Sequence, residues 1–263
     1  MSAPALNTVP ALLGIAAAAC SERGERTRNE DRVCVCPQGA RWLAVLADGA
    51  GGHRDGDEAS RRAVEALPQA LPPDGCIFEA ASLTRAVVAA HRHVLAGQGG
   101  EQEDDRMHST VVTLWIDAAS ASALWAHVGD SRLYLVRRGV LRQLTTDDSV
   151  VQRMLEAGIL TEGQALVHPN RGQLIAALGI EDDVEPHTVP KAVPLQAGDA
   201  FLLCSDGWWG SVDDGEVLAS LSDADTPEEW LAGMQRCIGA RAKARQDNFS
   251  AIAAWVVPAA VRA

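Results

Sequence analysis

The chain is short of positive charge. Against 35 Asp and Glu it carries 23 Lys and Arg, a formal net charge of -12 with a sequence pI of about 5.0. Holding a polyanion takes a basic surface, so non-specific nucleic-acid binding is not expected. Most of the acid excess serves solubility, and about five or six carboxylates are candidates for cation ligands. A C-x-x-C pair is also missing. The six cysteines (Cys20, Cys34, Cys36, Cys76, Cys204 and Cys237) are scattered, several of them in apolar runs. That pattern indicates neither a zinc site nor a disulfide framework. No run of about 18 apolar residues occurs, so no membrane span is expected. No basic stretch precedes Ala11–Cys20 and Glu22 follows it, which does not read as a signal peptide. Repeats and low-complexity linkers are absent. The expected compartment is a reducing cytoplasm. A length of 263 residues with 47% hydrophobic content fits one large domain or two small ones.

What the chain does have is a series of short acidic motifs. Arg26-Thr27-Arg28-Asn29-Glu30-Asp31 comes first, then Asp48-Gly49-Ala50-Gly51-Gly52-His53, Gly129-Asp130-Ser131-Arg132, Ser205-Asp206-Gly207 and Asp247-Asn248. Each carboxylate lies beside an apolar run that reads as a strand, so strand ends deliver acids toward one point. Oxygen-only ligands hold hard divalent cations and favour Mg2+ or Mn2+ over zinc. Asp48 can bridge two cations with its two oxygens. Gly49 lets a backbone carbonyl approach a metal with no Cβ in the way. An Asp-Gly turn is common by itself, and surface acids are usually just solvated. The coincidence of all five motifs points to a two-metal hydrolase.

Two cations roughly 3.5–4 Å apart share a water and lower its pKa, giving a nucleophile at neutral pH. That chemistry suits a phosphomonoester, whose spontaneous hydrolysis is among the slowest known. Arg26 is the candidate clamp for the phosphate oxygens, since a guanidinium binds them bidentately. His53 is the candidate general acid for the leaving alkoxide, against the plainer reading of a structural loop histidine. His127, His168 and His187 have no metal-ligand spacing, and His168-Pro169 reads as a loop-shaping pair.

Strands are expected at Leu12–Cys20, Arg32–Cys36, Trp42–Ala47, Ser109–Ile116, Ala123–Val128, Arg132–Val136, Val140–Leu144, Ala200–Cys204 and Ser250–Val257. Ala11–Cys20 is the weakest of these, because alanine favours helix. Helical spacing runs through Ala59, Ala63, Ala66, Leu67 and Ala70, stopped by Pro72-Pro73, and through Leu83, Ala86, Val87, Ala90 and Val94. A loop is expected over 97–105. Ser149 and Gln152 match a capping box, as do Thr161 and Gln164, with Gly158 as a C-cap. Thr226-Pro227-Glu228-Glu229 starts a helix, whose face carries Trp230, Leu231, Met234, Cys237 and Ile238. Hairpin-linked strands dominate, which excludes a Rossmann pattern and predicts a layered sandwich of antiparallel sheets.

The chain resembles the metal-dependent type 2C (PPM) Ser/Thr protein phosphatases in their compact bacterial form. The similarity runs from about Gly14 to Val257. It is carried by the motifs above and by Ser109-Thr110-Val111-Val112, Gly129-Asp130-Ser131-Arg132-x-Tyr134, Leu144-Thr145-x-Asp147-x-Ser149, His168-Pro169, Ala177-Leu178-Gly179 and Gly198-Asp199-x-x-Leu202-Leu203-Cys204-Ser205-Asp206-Gly207. The resemblance implies an α+β fold: a four-layer αββα sandwich, two antiparallel β-sheets flanked by helices, forming one catalytic domain over 1–263 with a flap at about 146–174. It implies two Mn2+ or Mg2+ ions in a cleft at one end. Asp48 would bridge both ions and Gly49 would give its carbonyl. Asp206 and Asp247 would hold one ion, Glu30 and Asp31 the other. Asp130 would share a third, weaker site with Asp206, and Arg26 would clamp the substrate phosphate.

Ala50, Asp148, Trp208 and Gly210 stand where the family usually has Met, His, Leu and Asp. None of these changes removes a ligand. The flap helix and the Gly172–Gly179 segment are also similar to phosphatases encoded with bacterial type VI secretion systems. The expected activity is dephosphorylation of phosphoserine and phosphothreonine on proteins, opposing a bacterial Ser/Thr kinase. The expected protein is a monomer with no nucleic-acid partner. The alternative is a catalytically weak or inactive regulator of the same fold that binds signalling partners.

Overall fold

A computed structural model of the chain describes residues 13–50, 56–98, 106–180, 183–241 and 246–259. Strands β1 (Leu13–Glu22), β2 (Asp31–Gln38) and β3 (Arg41–Ala50) come first, followed by helices α1 (Gly56–Ala70) and α2 (Ala80–Leu95). Next are β4 (His108–Ser109), β5 (Val111–Asp117), β6 (Ser122–Val128), β7 (Arg132–Arg137) and β8 (Val140–Gln143). Helices α3 (Val150–Glu156) and α4 (Glu162–Ala165) lead into β9 (His187–Thr188), β10 (Val193–Pro194) and β11 (Ala200–Cys204). Helices α5 (Asp206–Trp209), α6 (Asp214–Ser222) and α7 (Pro227–Ala240) precede the last strand, β12 (Phe249–Pro258).

One sheet has the order β1-β12-β11-β7-β8 and the other β10-β6-β5-β3-β2, with β4 on β3 and β9 on β6. Every ladder among the described residues is antiparallel. The alternation of side chains on the strands sorts the core into three layers. Leu43, Val45 and Ala47 of β3 pack with α1 and α2, whereas Ala44 and Leu46 face the sheet that contains β12. In β12, Ile252, Ala254 and Val256 face the sheet that contains β3, and Ala251 and Ala253 pack with Trp230, Met234 and Ile238 of α7. Both faces of each central strand are therefore covered, which is why these strands are continuous apolar runs. The layering is the expected αββα sandwich.

The alanine-rich β1 is a strand despite its helix propensity, because all ten residues pair with β12. The start of that expected strand, Leu12, lies outside the described residues, as does most of the expected loop over 97–105. Four local expectations need correction. The strand expected over Ser109–Ile116 is broken at Thr110, whose amide donates to the Asp48 carbonyl at 2.8 Å. Asp48 stands inside β3 rather than just beyond it. The Ser149 box is half-formed: Ser149 Oγ accepts from the Gln152 amide, but the Gln152 side chain turns to Glu156. Among the described residues, three helices, not one, separate β11 from β12. The extra two are short and begin in Asp- and Gly-rich sequence of low helix propensity. Helix α6 is secured by a reciprocal box between Asp213 and Glu216.

Candidate metal centre

The register brings the acidic motifs to one end of both sheets. Asp31, the first residue of β2, is paired with Asp48 on β3. Cys204, the end of β11, is paired with Ala251 near the start of β12, so Asp206 and Asp247 flank adjacent strand ends. Gly129-Asp130 makes the turn from β6 into β7, and Arg132 pairs with Cys204. Arg26, Glu30, Asp48, Gly49, Asp130, Asp206 and Asp247 line a single cleft of 310 Å³. Asp31 sits beneath it, buried, and accepts from Ser205 Oγ at 2.8 Å. His53 lies outside the described residues.

Local bonding fixes these positions. The Asp48 amide donates to Thr110 Oγ1 at 3.0 Å, and Ser109 Oγ donates to the Asp48 carbonyl at 3.0 Å. The Gly49 amide donates to the Glu30 carbonyl at 3.1 Å. A Cβ at Gly49 would overlap the Gly56 carbonyl oxygen, and one at Gly207 would overlap that of Asn248, so both positions require glycine. Asn248 ties the motif at the N-terminal side to the one at the C-terminal side. Its Oδ1 accepts from the Glu30 amide at 2.9 Å, and its Nδ2 donates to the carbonyls of Arg23 and Arg28. Arg26 pairs with Asp247 at 2.6 Å and remains exposed.

The protein phosphatase 2C family matches residues 20–248. The chain belongs to this family. The serine/threonine phosphatase stp of Listeria innocua is 34% identical over 215 residues, which cover 80% of this chain and 84% of that protein. The catalytic domain of the serine/threonine protein phosphatase PstP, solved with two manganese ions, superposes with a TM-score of 0.78 at 33% identity. That match covers 93% of this chain and 99% of the PstP domain. PppA of Pseudomonas aeruginosa, described as a key regulatory component of T6SS, gives a TM-score of 0.75 at 28% identity. It covers 92% of this chain and 97% of PppA.

In this 2C-family chain the cleft is strongly acidic. Burial, then the charges of Asp31, Asp206 and Asp130, holds the Asp48 carboxyl well above the usual carboxylate range. Burial and then Asp206 raise Asp130 in the same way. Burial and Asp247 raise Asp206, with the Arg171 guanidinium pulling it back. Asp31 is pushed up to about 6, chiefly by burial. Glu30 is raised by burial and by Asp57.

Among the described residues these acids do not form a closed ligand group of three or more; they ring an open cleft. The donor set nevertheless fits hard divalent cations. It is all oxygen. Asp31 Oδ1 is buried with no hydrogen-bond partner, an orphaned acceptor of the kind a cation or its water satisfies.

Sequence reasoning gave no role to Asn248, Thr110 or Ser205, although all three lie within the quoted motifs. It also missed Trp209, whose indole donates to the Asp130 carbonyl at 3.0 Å while Arg132 stacks on its ring at 3.6 Å. The histidines without a motif, His127 and His187, prove to be neighbours on β6 and β9 with stacked rings 5.0 Å apart.

Proposed function

We propose that this chain is a metal-dependent protein phosphatase acting on phosphoserine and phosphothreonine of proteins. The observation that carries the reading is the convergence of Glu30, Asp48, Asp130, Asp206 and Asp247 from both sheets into one cleft, with Asp31 beneath it. In this reading Asp48 and the Gly49 carbonyl would help hold two divalent cations, Mn2+ or Mg2+. Asp206 and Asp247 serve one cation, Glu30 and Asp31 the other, directly or through water. Asp130, with Asp206, serves a third and weaker one. When bound, the cations supply Lewis acidity and an activated water.

The remaining work falls to the chain. Arg26, joined to Asp247 through Nη2 and otherwise exposed, orients the phosphate oxygens. The fixed backbone around Gly49 and Gly207 holds the acids in place without reorganisation. Segment 146–174, closed at its base by the Ser149–Leu174 bridge, is a flap beside the cleft and part of one catalytic domain over 1–263. No helix among the described residues is long and apolar enough to cross a membrane. We place the activity in the cytoplasm, in a monomer that opposes a bacterial Ser/Thr kinase, with T6SS control as one such setting.

The test is hydrolysis of p-nitrophenyl phosphate and of phosphopeptides. Turnover is expected only with added Mn2+ or Mg2+, to stop with EDTA, and to favour phosphoserine and phosphothreonine over phosphotyrosine. Full activity in excess EDTA contradicts the mechanism.

A further inference from the structure

Asp148 stands at the base of the flap, and its carboxylate is buried. It grips Gly129 by both backbone groups: Oδ2 accepts the Gly129 amide at 3.0 Å, and the Asp148 amide donates to the Gly129 carbonyl at 3.0 Å. The Asp148 carbonyl accepts from Ile175 at 2.8 Å, so one residue joins the outgoing and returning ends of segment 146–174 to the Gly129-Asp130 turn. Its second oxygen, Oδ1, lies 2.9 Å from His187 Nε2. A buried carboxylate loses much if a donor is withdrawn, so the imidazole fixes the orientation of the whole clip.

The turn needs such fixing. Gly129 has φ +98, and Thr110 crowds the space a Cβ would occupy, so its backbone is held in a region few residues adopt. The next residue is Asp130, on the cleft wall. His187 itself is largely exposed, with its ring stacked on His127.

We propose that the Asp148–His187 pair is a positioning device that holds Asp130 ready to take a divalent cation and couples that readiness to the seating of the flap. The inference rests on the proposed function, since it assumes that Asp130 binds a cation. His187 is a positioning residue: it acts on Asp130 through Asp148 and Gly129. Hydrogen-bond partners behind metal ligands typically change affinity by about tenfold to a hundredfold when removed.

The test uses the full chain with His187→Ala and His187→Gln, since the glutamine amide can still donate to Asp148. Manganese binding is read by calorimetry and manganese activation with p-nitrophenyl phosphate. His187→Ala is expected to weaken the loosest calorimetric binding step by about tenfold and to shift the activation midpoint by a similar factor. Rates should recover at saturating Mn2+, the tighter steps should be unchanged, and His187→Gln should restore most of the loss. A binding isotherm that superimposes on the parent overturns the inference, and so does a Gln variant that behaves like Ala. If the parent binds manganese but hydrolyses nothing, the proposed function fails while the isotherms still judge the clip.

Discussion

Asp48 carries one of the strongest electrostatic loads in the molecule. Its carboxyl is raised by burial and by acids on both sheets. Asp48→Asn removes that repulsion without changing volume. It should lower turnover at least about a hundredfold, because an amide oxygen is a poor bridge between cations. Its metal-free melting temperature should equal or exceed that of the parent; near-normal turnover rules out the bridging role. Arg26 makes the opposite case. It is exposed, and an exposed ion pair contributes about 0–1 kcal/mol. Arg26→Ala should leave stability unchanged, raise KM severalfold and alter kcat less, since it removes binding shared by ground and transition states. An unchanged KM removes Arg26 from the site.

At the scale of elements, the link between the two ends of the chain depends on Asn248. Its side chain makes three bonds, to the Glu30 amide and to the carbonyls of Arg23 and Arg28. Asn248→Ala removes three bonds to part-buried backbone groups and should cost about 1–3 kcal/mol in urea unfolding. Manganese affinity should fall with it, because Arg26 and Glu30 lie on the segment it holds; a stability change below about 0.5 kcal/mol contradicts this bonding. The strand-end acids were legible because the central strands are covered on both faces and therefore read as unbroken apolar runs ending in charge. The apolar run stops at Ala47 and Asp-Gly is a common turn, so the sequence places Asp48 just past its strand. The ladder continues to Ala50, paired with β4, and only the partner strand reveals that. Helix α5 was missed because its four residues include Gly207, required by closeness to the Asn248 backbone and not by any local pattern. The His127–His187 stack joins residues 60 positions apart through a two-residue strand that leaves no periodic trace.

For the whole molecule, the raised acids set a dependence on pH. Burial pushes the Asp31 carboxyl up to about 6 from its ordinary 3.8, and Asp48, Asp130 and Asp206 are also raised. Between those values the folded chain keeps protons that the unfolded chain has released, so stability falls as pH rises through the window. The metal-free protein should therefore melt higher at pH 5 than at pH 7.5, by roughly 3 °C or more. Added Mn2+ should raise the melting temperature at pH 7.5 and close the gap; a metal-free protein that melts lower at pH 5 contradicts the clustering of the acids. Asp31 and Asp48 belong to one sheet, whereas Asp206 and Asp247 flank strands of the other. Between the sheets the contact is mainly apolar, and that attraction has no preferred direction. An ion held by acids of both sheets would act as a rivet at that rim of the stack.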